Sequence, residues 1–297
     1  MSEIRIKKFD PSTIRDFSTI LFAGGRRSGK SYVMRDFMWH IKHRVYDAHI
    51  FSGSIDPDHR WENYTPKSMV HYCLEEFDDA AIDEYMRNQE KRKALSEKFH
   101  VDCPPSLVTF EDIAHLAPSI WKSGAIKAMV FNGRWKRTFC FIALQYMIDM
   151  KKGLRGSQDY AVFTLESNST IRKSIYEQFC AIFKSYGDFE KTYFECTKDH
   201  RVMVVDCRAQ SYDISDCIFW YKAKDRGSFK MGHPDIWASP DSDSEDDDHS
   251  SKPSTKGGKW AGTEVKLLGD DEGEWGSDGE WREKPKKKKK KYARKSR

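Results

Sequence analysis

The apolar residues of this chain fall into short, nearly continuous runs, separated by longer stretches in which they recur at helical spacing. Ser18-Thr19-Ile20-Leu21-Phe22 is β-branched and apolar and reads as a buried strand. Tyr32-Val33-Met34-Arg35-Asp36-Phe37-Met38-Trp39-His40-Ile41 spaces its apolar positions as a helix that runs to about Arg44. A second strand is predicted from Ala48 to Ser54, followed by a highly charged helix from Asp78 to Lys98 with Ile82, Tyr85, Met86 and Leu95 on a narrow apolar face. Pro104-Pro105 blocks a helix ahead of the third strand, Ser106 to Phe110. A short helix from Gly124 to Phe131 leads into the turn Asn132-Gly133-Arg134, and Thr138 to Leu144 forms a strongly apolar fourth strand. Tyr160 to Leu165 is a fifth. Ser169 reads as the N-cap of a helix through Phe183, with Ile171, Ile175, Phe179 and Ile182 at helical spacing. Arg201 to Asp206 and Ile218 to Tyr221 close the pattern as paired strands. Alternating strands and helices, with strands apolar almost throughout, predict an α/β fold: a mostly parallel central sheet covered on both faces, a three-layer sandwich.

The alternation stops near Ala238. From Ser239 to Arg297 the chain carries 15 Lys/Arg and 14 Asp/Glu, and no Ile, Phe, Met or Cys. Such a segment buries too little apolar area to offset the entropy of ordering, and it reads as a disordered tail. It has an acidic block (Asp241, Asp243, Glu245, Asp246, Asp247, Asp248), a middle containing Gly and Trp, and six lysines from Lys286 to Lys291. The chain thus divides into a folded part, 1–238, and a charged tail, 239–297. Of 51 Lys/Arg and 46 Asp/Glu, 36 and 32 fall in the folded part, so that part is only mildly basic. The net charge of +5 is a weak pointer to a polyanionic partner. Seven scattered cysteines without a C-x-x-C pair argue for reduced thiols in an intracellular setting, against a disulfide or zinc framework. No apolar run reaches the length of a membrane span, and the N-terminus lacks a signal-peptide core.

Chemistry enters between the first strand and the first helix. Gly24-Gly25-Arg26-Arg27-Ser28-Gly29-Lys30-Ser31 fits the phosphate-binding (Walker A) pattern G-x-x-x-x-G-K-[ST], and its flanks are the strand and helix that the pattern needs. Glycines let backbone N–H groups approach phosphate oxygens, and the helix N-terminus adds a favourable dipole. Lys30 would reach the β- and γ-phosphates of a nucleotide, and the Ser31 hydroxyl would ligate Mg²⁺. The third strand ends in Glu111-Asp112, where α/β sheets place ligands. One carboxylate would hold the Mg²⁺ shell and the other would polarise an attacking water. Gln145, ending the fourth strand, either senses the γ-phosphate and orients water or simply starts a loop. Arg134 and Arg155 are expected in loops at the ligand edge of the sheet, where either could act as an arginine finger across a subunit boundary. Lys42-His43-Arg44 and Trp135-Lys136-Arg137 could contact nucleic-acid phosphates, or be solvated faces.

The ordered motifs carry a resemblance. The loop from Gly24 to Tyr32, the helix Asp83-Glu84-Tyr85-Met86-Arg87-Asn88-Gln89 and Phe110-Glu111-Asp112 come first. Phe131-Asn132-Gly133-Arg134, Ile142-Ala143-Leu144-Gln145-Tyr146, Leu154-Arg155, Asp159-Tyr160 and Phe219-Trp220-Tyr221-Lys222-Ala223 follow. Over roughly residues 15 to 225 this order resembles the poxvirus-type genome-packaging ATPases of nucleocytoplasmic large DNA viruses, within the FtsK–HerA superfamily of P-loop pumping ATPases. The resemblance implies that Lys30 and Ser31 bind ATP and Mg²⁺, that Glu111 takes the metal-side position and Asp112 the catalytic one, and that Gln145 is the sensor. It implies an arginine, Arg134 or Arg155, acting on a neighbouring subunit's nucleotide in a ring, a hexamer, that moves double-stranded DNA into a capsid. The superfamily usually places Asp first in the acidic box; here the pair is Glu-Asp, which leaves the division of roles between the two open.

The expected function is therefore an ATP-driven translocase that packages viral DNA. A helicase or remodelling ATPase is the nearest alternative, and a nucleoside or nucleotide kinase another, although no compact arginine-bearing lid is found. A GTPase is disfavoured because Thr197-Lys198-Asp199-His200 lacks the final Asp of the guanine-reading motif. A non-enzymatic adaptor at the capsid is the reading if Glu111-Asp112 is merely structural. Capsid or membrane-associated virion proteins are the further partners to expect, with a location in host cytoplasm, nucleus or the virion itself. The lysines of the tail, with Arg294, Lys295 and Arg297, read as a nuclear-localisation signal, a DNA tether or a solubilising segment, and the acidic block could fold back on them.

Overall fold

The computed structural model of the chain describes residues 5–57, 60–116, 120–147, 150–238, 273–275 and 281–283. Among the described residues, the first unit has nine strands and seven α-helices. In chain order they are β1 (Lys7–Lys8), β2 (Thr19–Ala23), α1 (Lys30–Ile41), β3 (Asp47–Ser52), β4 (Val70–Tyr72), α2 (Asp79–Phe99), β5 (Ser106–Glu111) and α3 (Gly124–Asn132). Then come β6 (Thr138–Leu144), α4 (Lys152–Gly156), β7 (Tyr160–Phe163), α5 (Ser169–Phe179), α6 (Tyr186–Thr197), β8 (Val202–Asp206), α7 (Ile214–Cys217) and β9 (Ile218–Tyr221). The strands lie in the order β1-β9-β8-β7-β2-β6-β5-β3-β4. All neighbours pair in parallel except β8, which runs antiparallel to both β7 and β9.

Every residue of β2, β5, β6 and β7 is buried, which accounts for their unbroken apolar runs: each strand is covered on both faces. Alternate residues feed two cores. Leu21, Val108, Ile142 and Phe163 pack under α2, α3, α5 and α6, whereas Ile20, Phe22, Phe141 and Val162 pack against α1 and the segment around Phe229 and Met231. This is the α/β three-layer sandwich that the periodicity predicts.

The stripe Val33, Met34, Phe37, Met38 and Ile41 buries α1 on the sheet, and it carries one charge inward with it. Asp36 has no exposure. Its Oδ2 accepts from the Tyr221 hydroxyl at 2.5 Å and the Lys224 N–H at 3.0 Å, and its Oδ1 from Arg226 Nε at 2.6 Å. A buried carboxylate with these partners ties the segment after β9 to the P-loop helix.

Several boundaries differ from the expectation. Helix α1 ends at Ile41 rather than Arg44, with Lys42 as its C-cap. The predicted helix through Phe183 stops at Phe179, because Cys180 leaves helical geometry (φ −124°, ψ 22°). Its N-cap is Asn168, whose side chain accepts from the Thr170 N–H, and not Ser169. A separate helix, α6, follows, capped by Ser185 accepting from the Asp188 N–H at 3.1 Å. The signal Ser185-x-x-Asp188 ahead of an apolar run was available in the sequence. The short strands β1 and β4 carry too few residues to show a period. In the second unit, Gly273–Trp275 pairs antiparallel with Trp281–Glu283. The acidic block, Lys286–Lys291 and the rest of the expected disordered tail lie outside the described residues.

One strand carries a pH liability. The His49 ring on β3 stacks against His71 with centroids 5.9 Å apart, and its buried Nδ1 has no hydrogen-bond partner among the described residues. Burial holds its pKa down at about 4, helped by His71 and Arg92 and opposed by Asp47. An unfolded histidine protonates near 6.5, so the unfolded chain binds the extra proton between those values. This contribution to stability is therefore complete above about pH 6.5 and lost as the pH falls towards 4. Thermal unfolding followed by circular dichroism should show Tm falling across that interval, by roughly 2–4 °C for each kcal/mol lost. His49→Phe should flatten the slope, and an unchanged slope would refute the assignment.

Candidate active site

The loop from Gly24 to Ser31 joins the end of β2 to the start of α1, and two of its glycines are there for different reasons. A Cβ on Gly24 would sit 1.7 Å from Thr164 Oγ1, in the residue just past β7. Gly29 has φ 88°, the left-handed region that favours glycine. Gly25, by contrast, has open space where a Cβ would be. The loop folds on itself through Ser28 N–H to the Gly25 carbonyl at 3.3 Å, and Ser28 Oγ lies 2.8 Å from Thr164 Oγ1. Helix α1 has no side-chain cap, so its first N–H groups face the loop as donors for an anion. Lys30 Nζ donates to the Gly25 carbonyl at 2.8 Å, which places the ammonium over the space that the loop encloses. Burial pushes its pKa down, while Asp112 and Glu111 hold it up. Arg26 and Arg27 point outward and are exposed.

The strand register brings the acids to this loop. Ala23 pairs with Leu144 and Phe163, and Ala143 pairs with Glu111, so β2, β5, β6 and β7 end at one level. Ser31 Oγ donates to Glu111 Oε1 at 2.5 Å, and Ser52, opposite Glu111 on β3, places its hydroxyl 3.0 Å from Oε2. Glu111 is 9% exposed. Burial raises its pKa, against the lowering effect of the two serine hydrogen bonds. Asp112 turns sharply off the strand with φ 51°, a conformation Asp tolerates. Its Oδ1 accepts from Gln145 Nε2 at 2.7 Å. Because β6 lies between β2 and β5, the amide that ends it stands between the loop and the second carboxylate. The donors at Ser31 and Glu111 are all oxygen, which suits a hard cation such as Mg²⁺, and these two residues would hold it.

Both arginines need correction. Asn132-Gly133-Arg134 precedes β6, which runs parallel to β2, so Arg134 lies at the opposite edge of the sheet from the loop, in a 3-10 turn (Gly133–Lys136). It is exposed. Arg155 is not in a loop but in α4, which delivers the chain to the far edge, where Asp159 N–H bonds the Thr19 carbonyl at the start of β2. Its Nη1 reaches back to within 3.5 Å of the Met147 carbonyl. The two basic clusters mostly serve the fold. Arg44 bonds the Ile14 carbonyl and Asp16, Lys136 pairs with Glu90, and Arg137 lies over the Phe17 ring at 5.2 Å. Trp135 remains 74% exposed.

Three parts of the site are absent from the motifs. Thr164 and Ser52 are single polar residues at strand ends, and only sheet order reveals that one touches the loop and the other Glu111. The third is a cleft of about 780 Å³ beside the loop, lined by Arg27, Tyr32, Thr197, His200, Arg201 and Lys222. Its outer wall is the tight turn between α6 and β8, where Asp199 and His200 take φ values of 55° and 60°. The cleft is large enough for the nucleoside end of a nucleotide whose phosphates lie in the loop.

No family model matches the chain. It is 24% identical over 233 residues to protein L437 of Acanthamoeba polyphaga mimivirus, covering 78% of this chain and 81% of that protein. Protein 088R of Invertebrate iridescent virus 3 is 28% identical over 207 residues, 69% of this chain and 76% of the relative. Both belong to large DNA viruses. Among solved structures, the genome-packaging NTPase B204 of Sulfolobus turreted icosahedral virus 2 with ATPγS superposes with a TM-score of 0.49 at 14% identity, over 71% of this chain and 99% of that one.

The contrast between two adjacent glycines tests the loop. Gly24→Ala should weaken binding of a fluorescent ATP analogue by more than about tenfold, since the methyl and Thr164 Oγ1 occupy the same space. Gly25→Ala should stay within about twofold. Equal losses in the two variants would show that the loop does not bind nucleotide in this geometry.

Proposed function

We propose that the chain is an ATPase whose turnover drives double-stranded DNA through a ring of its copies, and that it packages a viral genome. The observation that carries the hydrolytic part is the contact of Gln145 with Asp112 beside the Ser31–Glu111 pair. A loop for phosphates, a buried carboxylate and an amide-held carboxylate meet at one point on the sheet edge. In this reading the loop N–H groups and Lys30 hold the β- and γ-phosphates of ATP and neutralise charge as it develops. Glu111, buried and tied to Ser31 and Ser52, orients the Ser31 hydroxyl. Bound Mg²⁺ would offset the charge of the phosphate oxygens. Asp112, more open than Glu111 and fixed by Gln145, takes the proton of the attacking water. The difference in burial supports this division of the roles that the Glu-Asp order leaves open: in this reading the deeper carboxylate positions and the shallower one reacts.

The DNA part rests on the order of motifs across residues 15 to 225 and on relatives that belong to large DNA viruses. The Arg134 side chain is exposed and makes no hydrogen bond or ion pair among the described residues, so its guanidinium is available to a neighbouring copy across a ring boundary.

The test is ATP turnover by the full chain with and without long duplex DNA, alongside the particle's mass in solution. DNA-stimulated turnover in a ring-sized particle, with movement along blunt duplex and no strand separation, is expected. Strand separation would move the assignment to a helicase, and a monomer indifferent to DNA would overturn the motor. Lys30→Ala and Gln145→Ala should each lower kcat by about 10²–10³-fold, the latter with ATP affinity little changed. Full activity in either variant would remove that residue from the mechanism.

A further inference from the structure

The segment after β9 gathers positive charge. Lys222, Lys224 and Arg226 alternate along a stretch without regular structure, and all three line one cavity of about 250 Å³ together with Lys8, His40 and Asp10. Four cations therefore face one exposed carboxylate there, and Asp10 is already engaged, since its Oδ1 accepts from the Ser12 N–H at 2.9 Å and the Ser12 hydroxyl at 2.8 Å. Arg226 is locked in place. Its Nε is bound to buried Asp36, Nη2 lies 3.0 Å from His40 Nε2, and its guanidinium sits 3.9 Å from the Trp39 ring centroid. Nη1 has no partner among the described residues. The Lys222 and Lys224 side chains are exposed and make no hydrogen bond or ion pair there, and Lys8 lies over the Trp220 ring at 5.8 Å.

Burial lowers the pKa of His40, and Arg226 and Lys224 lower it further, against Asp36 and Asp10. Burial and then Arg226 lower that of Lys42. Arg226 is balanced by Asp36, but the Lys222 and Lys224 ammoniums beside it have no paired carboxylate among the described residues, and a compact oxyanion would offset their charge while accepting several charge-assisted hydrogen bonds.

We propose that this cavity is a second phosphate-binding site, separate from the Gly24–Ser31 loop, formed by Lys8, Lys222, Lys224 and Arg226. The group it takes is a phosphate, supplied either as a backbone phosphodiester of DNA or as free phosphate. The phosphodiester source rests on the DNA-translocating reading above; the cavity's affinity for phosphate does not.

The full chain, with the loop filled by a saturating non-hydrolysable ATP analogue, is titrated with inorganic phosphate and its unfolding temperature followed. A rise of about 3–5 °C is expected once phosphate exceeds its Kd tenfold. The Lys8→Ala/Lys224→Ala double variant should lose that rise, and Lys224→Arg should keep it, which a packing defect would not explain. A double variant that retains the full rise overturns the site. Duplex DNA then identifies the source. If the phosphodiester occupies the cavity, the slope of log affinity against log salt falls in magnitude by about 2 in the double variant. An unchanged slope with the phosphate response lost assigns the site to free phosphate. If the wild-type chain binds no DNA at all, the motor reading fails while the phosphate titration still decides the cavity.

Discussion

Ser31 reaches Glu111 because four parallel strands end at the same height. The serine belongs to the helix after β2, the glutamate closes β5, and β6 lies between those two strands. A register slip of one residue in any of these pairings would turn Glu111 to the other face of the sheet and leave the hydroxyl without its acceptor. The contact is thus a readout of the whole central sheet. Its consequence is a difference in setting between adjacent carboxylates: the one inside the sheet is held by two serines, and the one past the strand end turns outward and meets Gln145.

Much of this was legible in the linear sequence, and the reason is local. The strand, loop and helix around Gly24–Ser31 each carry their own period or pattern, as do the acidic strand end and the strand that stops at Gln145. What the sequence did not show depends on relations between distant elements. Arg134 lies at the edge opposite to the one its sequence suggests, because the turn before a parallel strand lies opposite the loops that follow such strands. The wall of the cleft beside the loop escapes a sequence reading for the complementary reason. β8 is antiparallel, so its beginning, and not its end, lies beside the phosphate loop, and a search confined to strand C-termini passes over Thr197 to Arg201. Helix α6 was folded into its predecessor because the apolar spacing runs on through Phe183 although the backbone breaks at Cys180.

Charge is distributed in two distinct ways around the P-loop helix. Asp36 is wholly enclosed, and its partners are the hydroxyl of Tyr221 at the end of β9 and the amide and guanidinium of the short stretch that follows it. Removing one partner of such a buried charge costs about 3–5 kcal/mol. The same stretch turns its lysines outward into water, where individual exposed charges contribute little to stability. One segment therefore combines a rigid attachment to the fold with a set of cations that folding leaves uncommitted.

Gly24 and Thr164 form a single steric unit although they lie far apart in the chain. The threonine hydroxyl stands where a side chain at position 24 would begin, and it also meets Ser28, while Tyr193 on α6 bonds the Thr164 carbonyl at 2.5 Å. As such sequences diverge, these positions are not free to drift independently. A side chain at 24 would require a smaller residue at 164 and another partner for Ser28, so the two positions can change only together.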